Sequence, residues 1–449
     1  MTPTITIALL LVAAPALLVG AIMWRRALLL ALPFLVILNG VPLQLGTSLI
    51  RIDQLVACLL AMPLALSVIA GERTLRIDTT ARWMIAILAM NVAASLAHSP
   101  TRGYSLLQCA NLASAWIIYL LLTNMVTDAA QLDRLFARCL WAAVAASVLG
   151  IGAFVLASAG MPVGGAEVSV RAAETMIRPF GAAGTMLEPN IFGSFMGAMF
   201  VFTGAIAAFS LRGAVERRTR LVRWTCALCG LGLLLSFTRS AWIGAIVAIL
   251  TAVVLGNRLI GSRASQILKP VGVGVAVIAV LLLLPGTTGD FARYKLVNLV
   301  NPGSQTALLR ILTSTIALQQ TLVHPIVGWG TYTFAPLLAE GSDFARFDGW
   351  RALWIGNYVL LALHDTGVTG LALWVGMIWS IIANAIRAVR HGAVHSPMLA
   401  RRTLALVAGV VTLLISFAAT TGFSLGYPWL LIGLLALHVR FLQEPAASE

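Results

Sequence analysis

The chain has 449 residues, 60% of them hydrophobic and only 10% charged, with a mean hydropathy of +0.95. Soluble domains are nearer half apolar and a quarter charged, so water is excluded as the main solvent and lipid takes its place. The net charge of +14 would suit nucleic acid, but the basic residues sit in short loops between apolar segments and build no contiguous basic face, which argues against nucleic-acid binding.

Only helices or closed barrels span a bilayer. The apolar runs here are about 15–22 residues long, whereas barrel strands alternate over about ten. The expectation is an all-α, polytopic transmembrane bundle of about 12–13 spans. In chain order they centre near residues 14, 36, 62, 90, 118, 149, 199, 231, 248, 278, 377, 412 and 433. The first, in MTPTITIALLLVAAPALLVGAIMWRR, lacks the basic n-region of a cleaved signal and reads as a retained span. Residues 1–286 then carry transmembrane helices 1–10, residues 287–352 form one large polar loop, and residues 353–449 carry the last helices and a tail.

Twenty of the 30 basic residues fall in alternate connections, among them Arg25, Arg26, Arg73, Arg134, Arg218, Arg402 and Arg440. The positive-inside rule makes these cytoplasmic, with the C-terminal tail beside them and the N-terminus outside. Ten fall on the other side: Arg51, Arg102, Arg171, Arg178, Arg239, Arg293, Lys295, Arg310, Arg346 and Arg351. The rule does not account for these. The cysteines Cys58, Cys109, Cys139, Cys226 and Cys229 all lie in or beside apolar segments and read as small helix residues, without a disulfide framework or zinc spacing.

Four stretches carry polar chemistry. In MIRPFGAAGTMLEPNIFGSFMG (176–197), Arg178-Pro179 and Pro189-Asn190 mark the outer end of a span, and Glu188 or Asn190 would cap it. A helix N-terminus facing a cavity also favours anions. LLLSFTRSAWIGAIVAIL makes a short hairpin with Arg239 at or just below the outer surface. Arginine at that depth either snorkels to the interface or binds an anion in a wet pocket. In the loop, 307–323 has the period of an amphipathic helix carrying Arg310, and His324-Pro325 with Gly328-Trp329-Gly330 reads as a helix stop and turn. In WRALWIGNYVLLALHDTGVTGLALW (350–374), tryptophans including the one in Leu353-Trp354 form an interfacial belt or a substrate wall. Asn357, His364 and Asp365 are polar groups in an apolar run, and Gly367 and Gly370 allow close helix approach.

Topology alone brings Arg178, Arg239 and Arg310 to the outer side. Arginine grips phosphate bidentately and stays charged, so a lipid pyrophosphate suits the cluster. There is no acidic pair for a divalent metal, and the arginines would stabilise the leaving phosphate instead.

These residues resemble the O-antigen ligase and O-antigen polymerase superfamily of bacterial envelope glycosyltransferases. LSFTRSAWIGA is similar to the family's Ser/Thr-Arg-small hairpin, and RPFGAAGTMLEPNIFGSF to its Arg-x-x-Gly…Pro-Asn segment. LLRILTSTIALQQTLVHPIVGWGTYTF resembles its Arg…His-Pro-x-x-Gly-x-Gly stretch, and GNYVLLALHDTGVTGLAL the segment after the large loop. The resemblance covers roughly residues 175–385. It implies a GT-C-like, multi-pass enzyme of the bacterial inner membrane with its active face in the periplasm and no metal or cofactor. The donor would be an undecaprenyl-pyrophosphate-linked glycan, and the acceptor a second glycan or a lipid, with membrane lipids around it. Arg239 and Arg310 would bind the donor pyrophosphate, with Arg178 as a third. Ligases of the family carry a histidine where this chain has Gly356, and His364 lies about 12 Å further along a helix. A polymerase, or a ligase for another acceptor, is the favoured expectation. Asp365, aligned with an acidic residue of the family, and His364 are the catalytic candidates beside the arginines; Asn357, Trp354 and Asp348 are candidates for the acceptor side. The general base is open among His364, Asp348, Asp343 and Glu340. The alternatives are a flippase or transporter for the same glycolipids, which would require inverted repeats and charges along a midplane path, and a catalytically inactive scaffold.

Overall fold

In lipid, a backbone amide or carbonyl has no solvent partner, so a chain this apolar must close its hydrogen bonds within itself. The computed structural model describes residues 20, 22–45, 48–158, 161, 181–209, 218–261, 283, 293, 305–341 and 354–444. The first elements are α1 (Arg25–Val36), a hairpin of β1 (Pro42–Leu45) and β2 (Ser48–Arg51), α2 (Ile52–Ile69), α3 (Thr79–His98), α4 (Arg102–Met125) and α5 (Ala129–Ser158). Then come α6 (Pro189–Phe209), α7 (Thr219–Leu235), α8 (Arg239–Ile260), α9 (Gln305–Thr321), α10 (Phe334–Gly341), α11 (Tyr358–Gly392), α12 (Pro397–Phe417) and α13 (Gly426–Gln443). The protein is a polytopic helical membrane bundle. Eight helices among the described residues, α2 to α6, α8, α11 and α12, are long and apolar enough to cross a membrane. The expected span centres fall on helices, except those near 14 and 278, which lie outside the described residues. The antiparallel hairpin, with Pro42 paired to Arg51, is an element that hydropathy does not signal.

The central helix is α6. It is apolar on all sides, 83% of its most hydrophobic window is buried, and it packs against α7, α8 and α12. A helix hydrophobic all round belongs in the middle of a bundle, where every face meets protein. The second centre is aromatic. Trp116, Tyr358, Trp374, Phe423 and Trp429 interlock at edge-to-face and tilted angles and join α4, α11 and α13.

The charged ends of the helices sort into two faces. At one end Asp133 bridges Arg218 at 3.0 Å and Arg402 at 3.1 Å, Glu444 meets Arg76 at 3.4 Å, and Arg440 donates to the Val126 carbonyl at 2.7 Å. These groups come from the connections richest in arginine. At the other end Arg51 donates to the Ser424 carbonyl at 2.7 Å and pairs with Asp53 at 3.2 Å. One of the ten basic residues outside the positive-inside pattern is therefore a clamp between the hairpin and the start of α13.

The expected amphipathic loop helix is α9. Its buried stripe of Thr313, Ala317 and Thr321 recurs at helical spacing, and Ala317 shares a small core with Phe334, Leu338, Ile355, Leu360 and Leu361. What anchors it is a break in α11. Gly367 sits at φ +63°, a left-handed conformation inside a membrane helix. The backbone groups freed there are met by the turn after α9: Trp329 N donates to His364 O at 3.0 Å, Gly330 N to Asp365 O at 2.8 Å, and Val368 N to Pro325 O at 2.8 Å. The two glycines read from sequence as helix-contact residues thus act differently: Gly367 receives a loop, and an added Cβ would lie 2.3 Å from the Ile326 carbonyl carbon.

An alanine at Gly367, or at Gly328 (φ +80°, where a Cβ would lie 2.5 Å from the Asp365 carbonyl carbon), should destabilise the protein by about 1–3 kcal/mol. Thermal unfolding in detergent measures this, with protease exposure of residues 305–341 as the local readout. Gly103, which has open space around it, should tolerate alanine in the same assays. Equal stability of all three variants would remove the anchoring role.

Candidate active site

Three helix N-termini open at the end opposite the arginine-rich one. Pro189 is the first residue of α6, a position where its missing N–H is harmless, and the Glu188 carbonyl accepts from Phe192 N at 3.1 Å. Arg239 is the first residue of α8. The two termini are stitched together: Thr238 Oγ1 donates to the Pro189 carbonyl at 2.9 Å, and Thr238 N donates to Ser236 Oγ at 3.2 Å. The third is α11, capped by Asn357, whose Oδ1 accepts from Val359 N at 2.9 Å and Leu360 N at 3.2 Å. Each such terminus carries roughly half a positive charge.

Two residues before Arg239, Phe237 holds φ at +50°. Bulky residues rarely adopt this, at a strain of order 1–3 kcal/mol. The Phe237 amide is held by Leu234 O at 3.1 Å, and its ring packs on Phe154. The turn that aims Arg239 is thus over-determined by its surroundings.

Arg310, on α9, faces this cluster. Its guanidinium is half-buried and lies in the fields of Arg239 and Glu188. Burial lowers its pKa from the ordinary value, the like charge of Arg239 adds to this, and Glu188 opposes it. A Cβ added at Gly356 would lie 3.9 Å from Arg310 Nε and 3.9 Å from Trp354 Cζ3. Gly356 is therefore a wall of this site, with the exposed Trp354 ring beside it. Glu188 completes the site. Its Oε1 accepts from Thr420 Oγ1 at 3.4 Å. Burial raises the carboxyl pKa, and hydrogen bonds from Asn190 and Thr420 and the charge of Arg310 only partly offset this. Tyr427, whose buried hydroxyl has no hydrogen-bond partner among the described residues, lies in the field of Glu188.

The sequence-derived candidates divide accordingly. Arg239 and Arg310 come together, and Trp354 stands at their edge. Arg178, Asp348 and Asp343 lie outside the described residues, as does the Glu340 side chain. Asn357 is occupied as the cap of α11. His364 and Asp365 are buried in the anchor below: His364 Nδ1 meets Asp365 Oδ1 and His364 Nε2 meets Gln320 Oε1, both at 2.9 Å, and Tyr332 N donates to Asp365 Oδ2 at 2.8 Å. His324 lies in the turn expected for it, stacked on His98 at 3.9 Å between centroids. Glu188 is the residue that the sequence signals only as a cap; what marks it is the Glu-Pro-Asn run beside an arginine-bearing hairpin. Among the described residues, no group of three or more His, Cys, Asp or Glu is placed to hold a metal ion.

A cationic, half-buried cluster at convergent helix N-termini is suited to a polyanion. Residues 224–375, from α7 through the loop to the middle of α11, match the family model described as O-antigen ligase. Over that stretch the chain is similar to O-antigen ligases, which supports the resemblance to the ligase and polymerase superfamily. No curated protein matches the chain. The O-antigen ligase match contains Arg239, Arg310, Gly356 and the whole anchor between the 324–332 turn and α11, but ends short of α12 and starts after Glu188.

Replacing Asp365 with alanine strips the Tyr332 amide and His364 of their acceptor and should lower stability by about 1–3 kcal/mol per unmet group. Asn357→Ala removes only a cap and should lower it by about 1 kcal/mol. Thermal unfolding of the purified variants decides, and an Asp365→Ala protein as stable as wild type would rule out the anchoring role.

Proposed function

We propose that this protein is a membrane glycosyltransferase of the periplasmic face of the bacterial inner membrane, transferring or polymerising an undecaprenyl-pyrophosphate-linked oligosaccharide. The observation that carries the reading is the facing of Arg239 and Arg310 where the N-termini of α6, α8 and α11 meet. Two guanidiniums and three positive helix ends match a pyrophosphate better than any neutral sugar.

The step follows from that placement. An acceptor hydroxyl oxygen bonds to the anomeric carbon of the donor glycan. The bond from that carbon to the phosphate oxygen breaks, and its electron pair leaves with undecaprenyl pyrophosphate. Charge grows on the departing oxygen, where Arg239 and Arg310 neutralise it. The hydroxyl proton needs an acceptor, and Gly356 leaves the wall beside Arg310 without an imidazole. Glu188 takes that role: it lies in the field of Arg310, and its raised pKa brings it toward the working pH, where a general base is most effective. The exposed Trp354 ring next to Gly356 offers the acceptor sugar an apolar face. With a glycine at the family's histidine position, an acceptor other than the lipid A core is favoured, and polymerisation stands ahead of ligation.

Purified protein supplied with lipid-linked oligosaccharide should release undecaprenyl pyrophosphate and lengthen the glycan. Arg239→Ala and Arg310→Ala should each lose at least about a hundredfold in rate while remaining folded in the membrane. Retained activity in both variants rules out the assignment, and translocation of glycolipid without elongation identifies a flippase instead.

A pH profile tests Glu188. A carboxyl raised by burial stays protonated to a higher pH than an ordinary glutamate, so activity should climb with pH along a limb displaced above the usual carboxylate range. Glu188→Gln should flatten that limb and lower the plateau rate. A variant that keeps the wild-type limb would show that another group takes the proton.

A further inference from the structure

The opposite end of the bundle holds a second cationic site, remote from the transfer chemistry. A cavity of about 250 Å³ opens between α1, the link from α2 to α3, the end of α4 and the start of α5. Four arginines from three elements line it: Arg25 and Arg26 at the start of α1, Arg73 in the link, and Arg134 in α5. Among the described residues, none that lines it is acidic. The nearby acids are engaged elsewhere: Asp128 accepts from Gln131 N at 2.7 Å at the start of α5, and Asp133 is shared by Arg218 and Arg402. Glu72, next to Arg73, is exposed and is not part of the lining.

Four like charges around one cavity repel unless a counter-charge enters, and guanidinium is built to take phosphate. The rest of the wall points to what carries that phosphate. Leu29 and Leu135 make a buried apolar floor. Beside the cavity, Ile22, Met23 and Trp24 are exposed, Met23 at 73% and Trp24 at 67%, and share a surface groove with Arg25 and Arg26. A soluble anion has no use for an apolar rim, whereas a lipid places its phosphate in the cationic cavity and its acyl chains along that rim. Trp24 then lies at the level where aromatic side chains meet headgroups. Basic pockets between membrane helices at the arginine-rich face are where anionic headgroups are held.

We propose that this cavity is a binding site for an anionic glycerophospholipid, with Arg25, Arg26, Arg73 and Arg134 gripping its phosphodiester. The bound lipid ties α1 to α5 by neutralising four arginines that otherwise repel across the gap. The full chain, purified in detergent, is titrated with phosphatidylglycerol or phosphatidylcholine and examined by native mass spectrometry, with inorganic phosphate as a competitor. Phosphatidylglycerol should be retained in preference to phosphatidylcholine. The double variant Arg73→Gln/Arg134→Gln, made at two exposed positions, should bind it roughly tenfold more weakly or worse. Arg387→Gln/Arg390→Gln, at the same end but outside the cavity, should bind as wild type does. Should the first pair fail to fold, Arg26→Gln alone is expected to weaken binding in the same direction. The site is overturned if the Arg73/Arg134 variant retains wild-type affinity, if the control pair loses as much, or if inorganic phosphate displaces the lipid as effectively as phosphatidylglycerol does. Glycan transfer is not the readout, so failure here leaves the arginine pair of the active site untouched, and the reverse.

Discussion

Everything at the candidate active site depends on four backbone groups of α11 finding partners outside their own helix. A break at membrane depth leaves carbonyls and amides that lipid cannot satisfy. Here the break at Gly367 is filled by residues 325–330, so the penalty of opening the helix becomes the force that docks the loop. The loop brings α9 with it, because Trp329 Nε1 donates to the Gln320 carbonyl at 2.7 Å and His364 holds the Gln320 side chain. Arg310 is thereby located opposite Arg239. His364 and Asp365, the most conspicuous polar pair in the chain, serve that docking: they lie under the turn, bonded to each other, to Gln320 and to the Tyr332 amide.

The same physics explains how much is legible in the sequence. Hydropathy and the sidedness of arginine register strong, one-dimensional signals, and they are enough for the bundle, for the amphipathic α9 and for the pairing of Arg239 with Arg310 on one side. Polar residues in the apolar runs are harder, because a membrane helix uses such residues both for chemistry and for closing its own backbone. Asn357 caps α11, and nothing in its spacing distinguishes a cap from a ligand. Gly367 is a glycine of either kind until the loop that fills its break is placed. Glu188 is hidden for the opposite reason. A capping role accounts for an acid before Pro-Asn, and only the packing of Thr238 on Pro189 carries the α8 terminus, and Arg239 with it, to the same place. The hairpin β1–β2 is short, and no alternation in the chain announces it.

The two ends of the bundle handle arginine in different ways, and the difference bears on function. At the arginine-rich end, most of the charge that packs between helices is answered by protein: Asp133 bridges two guanidiniums, Glu444 meets a third, and the Thr123 and Val126 carbonyls take Arg440. Arg402 is fully buried there yet stacked over Phe136 with its centre 4.0 Å from the ring. These are structural arginines, and their partners make them so.

At the other end Arg51 is of the same structural kind, but Arg310 is not. Among the described residues, the charges that act on it are a second arginine, which repels it, and one half-buried carboxyl whose burial favours the neutral form. Converging helix N-termini add further positive potential rather than relieving it. A fold that needed Arg310 only for stability would gain by answering its charge, as the opposite end does for Arg76, Arg218, Arg402 and Arg440. Holding two guanidiniums toward each other, with the turn at Phe237 strained to aim one of them, is stable only because the helices around them are already fixed by α6 packing and by the loop anchored on α11. That rigidity holds the two guanidiniums in place. It also fixes the arginines before charge develops on a leaving phosphate, so that little reorganisation is required when the bond breaks.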